Sequence, residues 1–167
     1  MSFSRQAQPP SFSTREFRAA LGMFATGVTV VTARTAQDQV IGLTANSFNS
    51  VSLDPPLVLW SVAKTANCYN AFMNAKHYAI HVLHSGQENI SRLFATKEAD
   101  KFANLQWHEN AGGAPLLEDY SVRFECTTEH LYEGGDHIII VGRVHDMDAK
   151  DREPLGFYKG KYAKIVV

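Results

Sequence analysis

The chain has 167 residues, of which 45% are hydrophobic, 20% charged and 11% aromatic, and its 16 Lys and Arg against 17 Asp and Glu leave a formal charge of -1. A single domain of this size buries roughly 68–70% of the surface of its unfolded chain, and an ordinary apolar fraction with near-zero charge argues against disorder. There is no basic stripe to meet nucleic acid and no run near the roughly 20 apolar residues that cross a bilayer; Cys68 and Cys126 are too few for a disulfide scaffold. The opening MSFSRQAQPPSFS lacks the apolar stretch of a secretory signal, so a cytoplasmic protein without nucleic-acid or membrane partners is expected.

Residues 1–12 are polar, carry Pro9-Pro10 and read as a flexible arm, leaving 13–167 as the folded domain. Ser13 with Glu16 three residues on forms a capping-box pattern, and Phe17, Leu21 and Phe24 recur at helical spacing until Gly22 and Gly27 weaken the helix. Val28 to Thr32 is uniformly β-branched and predicts a strand, with Val40 to Thr44 as its hairpin partner beyond a polar turn at Gln37-Asp38. Pro55-Pro56 cannot donate to a ladder and mark a break before a strand over Leu57 to Val62. Thr65 is expected to cap a short helix running through Met73. His77 to Leu83 predicts a strand and Gln87 to Ala95 a helix, while 96–119, with Gly112-Gly113 and Pro115, reads as irregular. Two further strands, about Ser121–Tyr132 and His137–Asp146, are joined by Glu133-Gly134-Gly135-Asp136. Six strands outnumber three helices, and most connections are too short for parallel crossovers. The residues therefore predict a mainly β protein, an antiparallel β-barrel with helical inserts.

Several familiar motifs fail. No Gly-x-Gly-x-x-Gly sits at a strand-to-helix junction. The run Gly156 to Lys161 is one residue short of a phosphate loop, and Tyr162 replaces its magnesium-binding hydroxyl. His77 and His81 share a strand face but lie roughly 13 Å apart, too far for one ion, and His84 points to the other face. Asn89-Ile90-Ser91 is a sequon without a secretory context, and no Gly-x-Ser-x-Gly elbow supports a hydrolase.

Three segments carry chemistry. Gly42 to Pro56 (GLTANSFNSVSLDPP) is dense in hydroxyls and amides, which either cap their own backbone or, with nearby N–H groups, hold a phosphate or the polar edge of a flat heterocycle. Ser61 to Cys68 (SVAKTANC) places Lys64 beside a predicted helix N-terminus, where anions are favoured. Gly134-Gly135-Asp136-His137 suffices as a hairpin turn but also sets an imidazole at the entry to Ile138-Ile139-Ile140-Val141.

Together with Phe24 to Thr32 (FATGVTVVT) and the ending Leu155-Gly156-Phe157-Tyr158, these segments resemble the short-chain flavin reductases, reductase components of two-component flavin-dependent monooxygenases within the FMN-binding split-barrel group. The resemblance runs from about Phe17 to Val166. It implies a homodimeric antiparallel Greek-key split β-barrel with a few short helices, binding FMN or FAD non-covalently. The flavin-binding positions it implies are Thr26, Gly27, Thr44, Ala45, Asn46, Ser47, Phe48, Ser61, Lys64, Thr65 and Cys68, and the nicotinamide-binding ones are Gly135, Asp136, His137 and Tyr158. Two departures stand out: His81 occupies a position where the family often has Asn, and Ala66 replaces a frequent serine.

The implied activity is hydride transfer from NADH to FMN or FAD, with reduced flavin passing to a separate monooxygenase. No catalytic side chain and no metal is expected, because the chemistry belongs to the two cofactors and the protein supplies orientation and electrostatics. Asn46 and Ser47 are expected to serve the flavin pyrimidine, Lys64 a phosphate, and His137 the nicotinamide cofactor. NADH is preferred to NADPH, since no arginine cluster marks a 2′-phosphate site. Alternatives are a flavin-binding carrier or sensor without turnover, and an FMN-dependent oxidase of the same group.

Overall fold

A computed structural model describes residues 9–97 and 100–166. Residues 1–8 of the expected arm lie outside the described ones. Phe12 packs its ring 5.4 Å from that of Phe17, stapling the entry to α1 (Thr14–Leu21). The capping box forms as expected, with Ser13 Oγ accepting from Glu16 N–H and the Glu16 carboxylate accepting from Ser13 N–H. No residue of this helix is buried.

The described residues then build twelve strands, with every pairing among them antiparallel. The main sheet holds β2 (Thr29–Arg34), β3 (Val40–Ala45), β4 (Asn49–Leu53), β5 (Pro56–Ala63), β6 (His77–Val82), β9 (Val122–Gly134) and β10 (His137–Ala149), in the order β3-β2-β6-β9-β10-β5-β4. β1 (Thr26–Gly27), β11 (Leu155–Tyr158) and β12 (Lys161–Lys164) form a second sheet, and β7 (Trp107–Glu109) pairs with β8 (Pro115–Leu117). The protein is thus mainly β with few helices. The main ladder is not closed, because β3 and β4 end it without pairing to each other. Yet these two end strands are joined by residues 46–48 alone, so the sheet curls until its ends approach. Ser47 marks the approach: its hydroxyl oxygen accepts from the Ser61 N–H of β5 at 2.9 Å.

β2 is buried on both faces and separates two apolar clusters. Val31 and Ala33 join Trp60, Phe72, Tyr78 and Ile140 on one side; Val28 and Val30 join Leu83, Phe94, Phe102 and Leu155 on the other. That division follows from the two-residue period of a strand. Its two threonines are satisfied inside the protein, Thr29 Oγ1 donating to Ala45 O and Thr32 Oγ1 to Pro115 O.

Three expectations need correction. Thr65 does not cap a helix: α2 covers only Tyr69–Asn74 and begins at Cys68 without a side-chain bond, so Lys64 is not beside a helix N-terminus. The stretch Asn49–Leu53, not among the expected strands, is one because all of its residues but Val51, at a bulge, pair with β5 despite its exposed face. Residues 96–119 contain β7 and β8, each only three residues, too short for periodicity to reveal. The C-terminal Leu155–Lys164 forms a hairpin through Lys159 and Gly160, both at positive φ. The helix expected at Gln87–Ala95 is present as α3 (Glu88–Ala95).

His81 of β6 is fully buried and ties the sheet to the β7–β8 hairpin. Its Nδ1 lies 3.1 Å from Val30 O, and its Nε2 accepts from Leu117 N–H at 3.0 Å, which requires the neutral Nδ1–H tautomer. Burial first, then the nearby Arg123 charge, push its pKa down to about 3, against the Val30 bond that raises it. Below about pH 6.5 the unfolded chain takes up a proton that the folded protein refuses, so stability falls with acidity by up to ~1.4 kcal/mol per pH unit. Urea unfolding between pH 7 and 5 should show this group losing about 2 kcal/mol, a slope absent from His81→Asn; parallel slopes in both proteins would contradict it.

Candidate functional site

A cavity of about 470 Å³ opens beside β3. Its walls come from Val40 to Thr44 of β3, the turn Thr65-Ala66-Asn67-Cys68, the C-terminal end of α3 with Lys97, and Lys101 with Phe102. The seating of α3 depends on Gly42, where an added Cβ would meet the Phe94 ring at 2.6 Å. Thr44 Oγ1 donates to Ser91 O of the same helix at 2.6 Å, and Lys101 Nζ donates to Phe94 O and Gly42 O. The pocket thus has apolar walls with a few fixed polar groups and a size ordinary for small-molecule sites.

One residue beyond the cavity turn lies the second feature. Ala63, the last residue of β5, pairs with His137, and Lys64 N–H donates to Asp136 O at 2.9 Å. Gly135 takes φ +77, a conformation that admits glycine most readily, and the Asp136 carboxylate lies 2.7 Å from His137 Nδ1. This imidazole holds the Asp136 carboxyl below its ordinary pKa. Lys64 is not free to meet a phosphate as it stands, since its ammonium is bound to the Glu133 carboxylate at 2.5 Å, which raises its pKa. The expected flavin segment and the expected nicotinamide turn therefore meet at Lys64-Thr65.

The other expected residues divide. Thr44, Thr65 and Cys68 line the cavity, while Ala45 is buried with its carbonyl taken by Thr29. Asn46 and Ser47 are exposed on the link between the sheet ends, and Ser47 is engaged with Ser61. Phe48 turns inward and stacks on Phe124 at 5.6 Å. Thr26 and Gly27 run into β2 on the side where Thr29 pairs with Ala45, and Thr26 Oγ1 is buried without a protein partner. Tyr158 belongs to the separate small sheet, with its hydroxyl 3.9 Å from Met23 Sδ. No hydrogen bond or pairing among the described residues joins Tyr158 to the Gly135–His137 turn. Sequence reading missed Phe94, Lys97 and Lys101, because the lysines fall in or beside the segment read as irregular.

A family model for the flavin reductase like domain matches residues 21–166. The chain belongs to the flavin reductase-like family. Among members, it is 47% identical over 157 residues to FMN reductase (NADH) SmoA of Agrobacterium fabrum, covering 94% of this chain and 89% of that one. It is 44% identical over 148 residues to the reductase component of a flavin-dependent trigonelline monooxygenase of Acinetobacter baylyi, covering 89% of this chain. It spans about half of that relative, 48% of its length. The solved NADH:FAD oxidoreductase SgcE6 of Streptomyces globisporus, in complex with NAD and FAD fragments, superposes with a TM-score of 0.86 at 39% identity, over 91% of this chain and 92% of that one.

Neither thiol of this flavin reductase-like chain is poised as a nucleophile. Burial raises the pKa of the half-buried Cys68, with Lys101 opposing, and pushes that of the buried Cys126 up to about 12. Ellman's reagent at neutral pH should react slowly with one thiol, lost in Cys68→Ser, and reach Cys126 only after unfolding. Rapid reaction of both in the native protein would contradict this placement.

Proposed function

We propose that the protein is an NAD(P)H:flavin oxidoreductase that passes hydride from NADH to FMN or FAD and supplies reduced flavin to a separate monooxygenase. The observation that carries this reading is the junction of the cavity with the Gly135–His137 turn through Lys64-Thr65. The cavity suits a flat heteroaromatic phosphate ester: Ile41, Leu43 and Phe94 offer apolar wall, and Thr44, Thr65, Asn67 and Lys101 offer polar groups. A bound flavin supplies hydride-accepting chemistry that no side chain here provides.

The chain's own contribution is placement. Holding a nicotinamide against the ring plane from the His137 side removes the entropy of bringing two reactants together, an effect worth roughly 7–11 kcal/mol in well-oriented systems. Exposed Asn46 and the backbone around it are the donors for the polar ring edge, since Ser47 is already bonded to Ser61. NADH is the preferred donor, as the names of the relatives FMN reductase (NADH) and NADH:FAD oxidoreductase suggest. A monooxygenase partner is supported by the relative named as such a reductase component.

The same reading includes a Greek-key split barrel, supported by the three-residue link between the sheet ends, and a homodimer. For the dimer, the support is an apolar surface on and after α1, where Phe17, Leu21 and Phe24 are 50%, 59% and 76% exposed. Light scattering should give twice the chain mass, and Leu21→Glu with Phe24→Glu should shift it to one chain; a monomeric wild type would refute the dimer.

The activity is tested by following NADH absorbance with FMN or FAD present. Flavin-dependent NADH loss is expected, and its absence would sink the proposal or leave a carrier. His137→Ala should raise KM for NADH about three- to tenfold, the loss of one hydrogen bond at ~0.5–1.5 kcal/mol, with flavin affinity unchanged.

A further inference from the structure

We propose that Glu133 sets a preference for NADH over NADPH by withholding Lys64 from the added phosphate, an assignment that rests on the nicotinamide reading above. NADPH differs from NADH only in a phosphate on the 2′-hydroxyl of the adenosine ribose, so a site tells the two apart by the charges that this phosphate meets. A cavity of about 470 Å³ that holds a flavin leaves no room for a whole dinucleotide, and the ADP half is left at the rim beside the turn. Lys64 is the cation joined to that turn: its backbone N–H donates to Asp136 O at 2.9 Å, and its neighbour Thr65 lines the cavity. Its ammonium, however, meets the Glu133 carboxylate at 2.5 Å across the hairpin.

The rest of the hairpin offers no substitute. Arg123 faces Glu125 at 3.6 Å, and Arg143 is held by Glu129 through two bonds, at 2.6 and 2.9 Å. Both arginines of β9 and β10, and the lysine bonded to their turn, therefore each face a carboxylate. Asp136 adds another, with its side chain 93% exposed. The His137 imidazole, and beyond it Lys64, hold that carboxyl below its ordinary pKa, so it stays ionised at neutral pH. Lys64, Glu133 and Asp136 together carry one negative charge, so an added phosphate meets repulsion there and no unpaired cation. Such like-charge juxtaposition is a general means of rejecting the wrong ligand. Glu133 is 76% exposed and its ion pair is of the kind that contributes little to stability, so the carboxylate is removable without unfolding the protein.

The test measures kcat/KM for NADH and NADPH with FMN as acceptor, and the dissociation constants of NAD⁺ and NADP⁺ by calorimetry without turnover. Wild type should favour the unphosphorylated forms, and raising ionic strength from about 0.01 to 0.5 M should narrow that preference by screening the repulsion. Glu133→Gln should raise NADPH relative to NADH about three- to tenfold in both measurements, because it frees Lys64 to meet the phosphate. The double variant Lys64→Gln with Glu133→Gln should lose most of that gain. An unchanged ratio in Glu133→Gln, an equal gain for both coenzymes, or a full gain in the double variant overturns the assignment. So does a wild type that favours NADPH, or whose preference salt leaves unchanged, with no variant needed. A wild type that neither oxidises NADH with flavin nor binds NAD⁺ instead refutes the underlying reading.

Discussion

Residues 46–48 connect β3 to β4, which stand at opposite ends of a seven-stranded ladder. A link this short spans about 13 Å at full extension, so the sheet has to bend back on itself to be joined at all. That bend brings Ser47 against Ser61 of β5, and it lets the turn after β5 wall the same cavity as β3. The polar density of the link is the other side of the same constraint. A segment that crosses from one sheet edge to another cannot complete a ladder on both sides, and its hydroxyls and amides take over the backbone groups left unpaired.

Charge placement divides the site into two kinds of cation. Lys64 is exposed and paired with Glu133, an arrangement that solvent screens and that contributes little to stability. Lys101 is partly withdrawn from water in the cavity wall and, among the described residues, is hydrogen-bonded to two carbonyls. On the other flank, Asp136 and His137 form an acid–imidazole pair presented by a turn that positive φ at Gly135 makes possible. The result is a pocket with lysine in its wall beside a hydrogen-bonding turn, the arrangement on which the proposed flavin site rests.

His81 shows how a buried imidazole is satisfied. Its ring uses both nitrogens: one toward Val30 O in the sheet, one accepting from Leu117 N–H in the hairpin above. The residue is thus structural, and burial makes it neutral over the physiological range. The metal reading of His77, His81 and His84 founders for the same reason: the ring nitrogens of His81 are already occupied, and His84 Nε2 lies 3.0 Å from the Asp119 carboxylate.

Local pattern was enough to determine α1 with its capping box, the long strands β2, β5, β6, β9 and β10, helix α3, and the two polar segments and the turn that mark the site. Each is decided by neighbours in the chain: periodicity, β-branching, or a glycine at positive φ. What only the tertiary structure decided depends on groups far apart in sequence. β4, β7 and β8 are too short or too polar to declare themselves and exist because a partner strand supplies their hydrogen bonds. Phe48 and Thr44 were read with the ligand-facing segment, yet one ring turned to Phe124 and one hydroxyl to Ser91. Lys64 and Lys101 are indistinguishable as letters. One finds a carboxylate across a hairpin and the other two carbonyls in a cavity wall, because the availability of a charge is set by the dielectric and partners that folding assembles around it.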